Sequence, residues 1–314
     1  MRILFATDGS IAADRARDLL IALNLPLDSY IRVVGVRRQD PGRSGASWVR
    51  VAEDTASFAG TVARAAGTAV MAPATEDHFA IMLDTTVAAL EAPGRRVERV
   101  ILHGHAGSAI VDDAREMAAD LVVVGNRGHG TIESMLLGSV SRHVVSQAPC
   151  SVLVGRSSRI GSVLFATDGS DSARAAEDAV ASWPMFGGLP VRVVAIAQTS
   201  MPIGGVPGLY DQVLEQYETD VDGARLEATA WADAAVQRLT AAGRQATGEM
   251  LEGDPSGEIL RATTTHHSDL IVTGTHGRTG MSRLVLGSVA GNVAGHATAS
   301  VLVVRDITTD GSSS

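Results

Sequence analysis

Lysine is absent: all 26 basic residues of this 314-residue chain are arginine. A Walker-type phosphate lysine and every Schiff-base mechanism drop out, because both need a primary amine. Cysteine occurs once, so no intrachain disulfide forms. The setting of Cys150, in Ala148-Pro149-Cys150-Ser151-Val152, predicts a packed thiol at the mouth of a buried strand rather than a reactive one. No apolar run approaches the roughly 18 residues that a membrane span needs. Acidic Asp8 stands where a secretory leader would carry its apolar segment. The expectation is a cytoplasmic protein with no membrane partner. Gly at 33 and Pro at 10 fall short of a collagen-like or low-complexity composition, and 45% hydrophobic with 19% charged residues is a globular balance. The net charge of −9 repels polyanions and no basic patch offsets it, so nucleic acid is not an expected partner. Neither a Gly-x-Ser-x-Gly elbow nor a Gly-x-Gly-x-x-Gly after a strand occurs. His103 with His105, and His266 with His267, lack a surrounding carboxylate or thiol set, so no metal site is expected there.

What the chain does contain is a repeat. Leu4-Phe5-Ala6-Thr7-Asp8-Gly9-Ser10 recurs as Leu164-Phe165-Ala166-Thr167-Asp168-Gly169-Ser170, 160 positions on. A second shared block, starting at Gly125 and Gly274, recurs at an offset of 149. The first copy is therefore longer by 11 residues, and the extra length falls between its second and third strands. The division is 1–155, a polar linker 156–160, 161–306, and a disordered tail 307–314.

Short β-branched runs alternate with amphipathic stretches in each half, the pattern of a parallel sheet flanked by helices. Strands are predicted at 3–7, 31–36, 97–103, 121–125 and 151–155, and again at 163–167, 191–197, 247–251, 270–274 and 300–304. Helices are predicted at 12–23, 108–119, 140–146, 173–182, 256–266 and 289–294. A long helix over 209–242 has Leu214, Tyr217, Val221, Leu226 and Trp231 as its apolar positions, and 44–72 receives no assignment.

The chemistry lies after strand four of each half: Gly125, Gly128, Gly138 and Ser139, then Gly274, Gly277, Gly287 and Ser288. Glycines let consecutive amides approach an anion, and a helix opening at Gly-Ser offers unpaired N–H groups with part of a positive charge. The alternative is that the glycines serve turns and the serines cap helices. Asp8 and Asp168, after strand one, either accept a ribose or adenine hydrogen bond or hold Mg²⁺ through water, or else are turn acids.

The repeated heptapeptide, the Gly-2x-Gly-9x-Gly-Ser spacing and the fifth strand resemble the universal stress protein family, in its tandem-domain, ATP-binding form. The resemblance implies an α/β fold of two open parallel five-stranded sheets of order 3-2-1-4-5, Rossmann-like, joined through the last strands 152–154 and 301–304. It also implies ATP, ADP or AMP, with Mg²⁺, in each half. The implied contacts are Ala6, Thr7, Asp8, Val36, Gly125, Arg127, Gly128, Gly138, Ser139, Val140 and Ser141 in the first half. In the second they are Ala166, Thr167, Asp168, Ile196, Gly274, His276, Gly277, Gly287, Ser288, Val289 and Ala290. Adenine falls to Val36 or Ile196, ribose to Asp8 or Asp168. A nucleotide-dependent stress-response regulator follows, homodimeric and acting on an unidentified protein. A slow ATPase or phosphotransferase and a nucleotide-free scaffold are the alternatives. The copies differ at Ser141 against Ala290, at Arg127 and His129 against His276 and Arg278, and at Val36 against Ile196. Trp48 and Phe58 in the insertion are expected to pack rather than cover the site.

Overall fold

The computed structural model describes residues 1–37, 77–128, 137–198, 210–277 and 286–306, with 210–216 described by backbone alone. The unassigned 44–72 segment, Trp48, Phe58, His129, Arg278 and the tail 307–314 lie outside these residues. The first half runs β1 Arg2–Ala6, α1 Ile11–Ala22, β2 Tyr30–Arg37, α2 His78–Leu90, β3 Arg96–His103, α3 Ala106–Glu116, β4 Leu121–Gly125, α4 Ser139–Gln147 and β5 Ser151–Gly155. The second runs β6 Val163–Thr167, α5 Asp171–Ser182, β7 Pro190–Ala197, α6 Tyr210–Ala241, β8 Gln245–Glu252, α7 Pro255–Thr265, β9 Leu270–Gly274, α8 Ser288–His296 and β10 Ser300–Val304.

All ten strands form one sheet, β3-β2-β1-β4-β5-β10-β9-β6-β7-β8. Each half keeps the order 3-2-1-4-5. Every neighbouring pair is parallel except β5 with β10, where Val152, Leu153 and Val154 oppose Val303, Leu302 and Val301. The expected seam through the last strands is present. Mid-sheet position explains why these strands are apolar at nearly every residue and buried throughout.

Side chains alternate between two faces because the strand period is two. Ile3 and Phe5 enter a core under α1, α2, α5 and α6, while Leu4 and Ala6 enter one under α3, α4, α7 and α8. Phe5 and Phe165 are fully buried at equivalent places, each contributing about 2–3 kcal/mol. Cys150 is 1% exposed, and burial pushes its thiol up to about 12, so it packs as an inert side chain.

The long helix corrects one expectation. Leu226 is 73% exposed, and the buried stripe of α6 is Ala228, Ala232, Ala235 and Leu239, with Ala224, Trp231 and Val236 partly covered. The spacing of large apolar residues misplaced the face. Alanines bring the helix close to the sheet, and Gly248 on β8 leaves space for Val236.

Candidate functional site

In each half the winding reverses between strands one and four, so their carboxyl ends flank a crevice. Two loops meet there. After β1, Thr7 Oγ1 accepts from Gly9 N at 3.1 Å and Asp8 Oδ1 from Ser10 N at 3.0 Å. Ser10 Oγ accepts from Ala13 N at 3.3 Å and donates to Arg127 O at 3.3 Å, stitching the turn to the glycine loop. The second half repeats this. Asp168 Oδ1 accepts from Ser170 N at 3.1 Å, and Ser170 Oγ accepts from Ala173 N at 3.2 Å and donates to His276 O at 3.4 Å. Gly9 and Gly169 sit at φ +76° and +72°, where a side chain would be strained.

The second carboxylate oxygen of each Asp faces the loop glycine. A Cβ on Gly128 would lie 2.4 Å from Asp8 Oδ2, and one on Gly277 2.8 Å from Asp168 Oδ2. The structure thus joins the two motifs that were legible separately. Ser10 and Ser170 were absent from the expected site, although the repeated heptapeptide contains both.

Gly138 N donates to Asn126 O at 2.8 Å and Gly287 N to Thr275 O at 2.7 Å, tying the start of the next helix to the same loop. Gly138 and Gly287 are themselves the N-caps, with no side-chain cap, so Ser139 and Ser288 are first helical residues rather than caps. Both serines are exposed. Neither α4 nor α8 has an acid in its first turn. α1, α5 and α7 carry Ser10, Ser170 and Asp254 as side-chain caps and Asp14, Asp171 and Glu258 in the first turn, whereas α2 and α3 also lack both, so what sets α4 and α8 apart is the glycine loop beside each. An uncapped, acid-free N-terminus beside a glycine loop presents amide donors and part of a positive charge to an anion.

Other expected residues have structural partners. A Cβ on Gly125 would meet Ala12 O at 2.8 Å, and one on Gly274 would meet Ser172 O at 2.5 Å, so both glycines admit the first turn of α1 or α5. Ser141 is buried and donates to Gly125 O at 2.7 Å. Ala290, its counterpart, is buried too. In the second half Ser172 Oγ accepts from Thr275 N at 2.8 Å and His276 N at 3.2 Å. His276 Nδ1 lies 2.9 Å from Thr275 Oγ1, and burial with the nearby Arg305 charge holds the imidazole below its ordinary range. Val36 and Ile196 are partly buried near the ends of β2 and β7, while Ala6, Thr7, Ala166 and Thr167 are buried where β1 and β6 end. Val140 and Val289 occupy the first turns of α4 and α8 and lean on the core. His266 Nε2 lies 2.9 Å from Glu249 Oε2, and His105 occupies the N-cap of α3, as Asp254 does in α7.

The universal stress protein family model matches residues 1–156 and 160–305. Among curated relatives, a universal stress protein of Thermus aquaticus is 44% identical over 61 residues, 19% of this chain and 44% of that one. The matched stretch thus spans less than half of that relative's length. A universal stress protein of Mycolicibacterium smegmatis is 29% identical over 226 residues, 68% of this chain and 71% of its own. Among solved structures, a universal stress protein from Archaeoglobus fulgidus aligns over 97% of this chain and 98% of its own, with TM-score 0.59 and 16% identity, which is a likeness of fold. Among the described residues no helix is long and apolar enough to cross a membrane.

Proposed function

This chain belongs to the universal stress protein family, and from that premise we propose that each half binds an adenine nucleotide, ATP with Mg²⁺ foremost, and that occupancy rather than turnover is the output. The observation that carries the reading is the pair of uncapped, acid-free helix N-termini at Gly138 and Gly287, each tied to a glycine loop that abuts a strand-one carboxylate. The phosphates lie against the first-turn amides of α4 or α8, with the Ser139 or Ser288 hydroxyl as a further donor. Asp8 or Asp168, at the carboxyl end of strand one, faces the ribose. The ends of β2 and β7, at Val36 and Ile196, supply an apolar edge for the purine. Mg²⁺ would offset phosphate charge when bound. These residues hold, orient and neutralise.

Binding energy then stabilises one arrangement of the chain toward a protein partner. We assign the protein to the cytoplasm. Because β5 and β10 are paired within the chain, homodimerisation uses another surface.

Mass spectrometry of the small molecule released on denaturing fresh protein, with calorimetry of the emptied chain against ATP and Mg²⁺, tests the reading. Two sites are expected. Gly138→Val removes one and Gly287→Val the other. No released nucleotide, with no heat up to about 1 mM, where binding is worth only about 4 kcal/mol, would overturn it. Phosphate release that vanishes with both glycine substitutions would make the output turnover.

A further inference from the structure

The arginines after the two last strands cross the seam. Arg156 follows β5, yet its guanidinium donates to Ala294 O at 2.6 Å, in the last turn of α8, and to Ala299 O at 3.3 Å. Arg305 follows β10, and its guanidinium donates to Ser146 O at 2.8 Å and Val145 O at 3.1 Å, in the last turn of α4. Their backbone amides cross as well, Arg156 N donating to Ser300 Oγ at 3.1 Å and Arg305 N to Ser151 Oγ at 3.2 Å. A cation at a helix C-terminus meets unpaired carbonyls and the negative end of the dipole. Arg156 is only 8% exposed, so it is committed to this contact.

The helices so held are those whose other ends form the phosphate cradles. Each has 9 residues, about 13 Å at 1.5 Å per residue, short enough to move as one body. The start of each is tied to its glycine loop through the amide of Gly138 or Gly287, and the arginine holds the far end. Each arginine also stands near the glycine loop of its own half. Arg156 lies one residue beyond Gly155, which pairs with Gly125. Burial, with the Arg127 charge as the lesser cause, lowers Arg156 to about 10, and Arg305 in turn bears on His276.

We propose that Arg156 and Arg305 are positioning residues that act crosswise, each setting the nucleotide affinity of the opposite half by holding the C-terminus of that half's phosphate helix. The proposal rests on the nucleotide-binding reading above. A residue that merely stabilised the fold would weaken both sites alike.

Calorimetry on two single-site chains separates these cases, Gly287→Val leaving the first-half site for ATP with Mg²⁺ and Gly138→Val the second. Arg305→Leu is expected to weaken the first-half site about tenfold and change the second by less than about twofold, within the range of coupled sites. Arg156→Leu does the reverse. Arg156→Lys, which retains charge at the helix end, recovers part of the loss. Arg156→Gln and Arg305→Gln replace the leucine variants if those leave too little folded chain. Equal loss at both sites, or loss confined to the arginine's own half, overturns the proposal. Hydrogen exchange on the nucleotide-free full chain gives an independent reading: Arg305→Leu should speed exchange of α4 amides and spare α8, and Arg156→Leu the opposite. Uniform acceleration, or none, overturns the proposal. If the parent chain gives no heat with ATP and Mg²⁺, the binding reading falls while the exchange result still decides the crosswise role.

Discussion

The two halves build one loop geometry with hydroxyls from opposite sides. In the first half the hydroxyl comes from the helix that follows the loop, Ser141 donating to Gly125 O, and Ala12 stands across from it. In the second half the helix carries Ala290 and the hydroxyl comes from α5, Ser172 accepting from Thr275 N and His276 N. Beyond the shared Ser10 and Ser170 contacts, each copy adds its own pin to the glycine loop, one through a carbonyl and the other through amides. The requirement is that the loop be held, not that a given position hold it. A second contrast lies in the strands. β1 pairs with β4 through Ala6 and Val124, whereas β6 leaves β9 after Phe165 and Val272. The second crevice opens one register earlier, where Thr273 replaces Val124.

The largest stability effect that breaks this comparison is expected at Gly155. A Cβ there would lie 2.7 Å from Ala16 Cα and Cβ, whereas the equivalent position of the second half holds a buried valine, Val304. Gly155→Val should therefore cost about 3 kcal/mol of unfolding free energy, the upper end for overpacking, measured by urea denaturation. A loss under about 1 kcal/mol would mean that α1 is free to shift outward.

Next come the loop hydroxyls. Ser172→Ala leaves two backbone amides without their acceptor and should cost about 2 kcal/mol, against about 1 kcal/mol for Ser141→Ala, where one carbonyl loses a donor. Adding Ala12→Ser to Ser141→Ala copies the second-half arrangement and should restore part of the loss. Thermal unfolding of the three chains checks the order, and no restoration would disprove the equivalence.

The smallest effect is on pH dependence. The first loop carries Arg127 where the second carries His276, whose imidazole is held below its ordinary range by burial and Arg305. In the unfolded chain His276 takes up its proton near the ordinary histidine value of about 6.5, and in the folded chain only at lower pH. Between those values the unfolded state binds more protons, so stability is whole above about pH 6.5 and falls as acid is added through that window. Wild type should thus lose more stability than His276→Gln between about pH 7.5 and 5.5. Equal losses in parallel denaturation curves would remove Arg305 and burial as the cause.

Much of the architecture was legible because it is local. Strand faces follow a period of two, and the described strands fall within a residue or two of their expected ends. The glycine spacing marked the loops, since Gly128 and Gly277 are needed wherever a carboxylate lies that close. Legibility ended where a residue's partner is remote. Gly125 and Gly274 read as ligand glycines, but each also clears a helix that begins far away in sequence. Leu226 read as core because it is large, while the packed face of α6 is lined by alanine.

What the amino-acid order determined unaided is the duplication, the alternation of strand and helix, and the places where backbone must approach something closely. These depend on φ, on side-chain volume and on periodicity within a few residues. Only the tertiary structure decided which hydroxyl holds each loop and that the halves merge into one sheet. It alone decided that Arg156 and Arg305 end on each other's helices. Those contacts join residues 138 and 160 positions apart, and such partners become neighbours only when the antiparallel seam sets the two halves edge to edge.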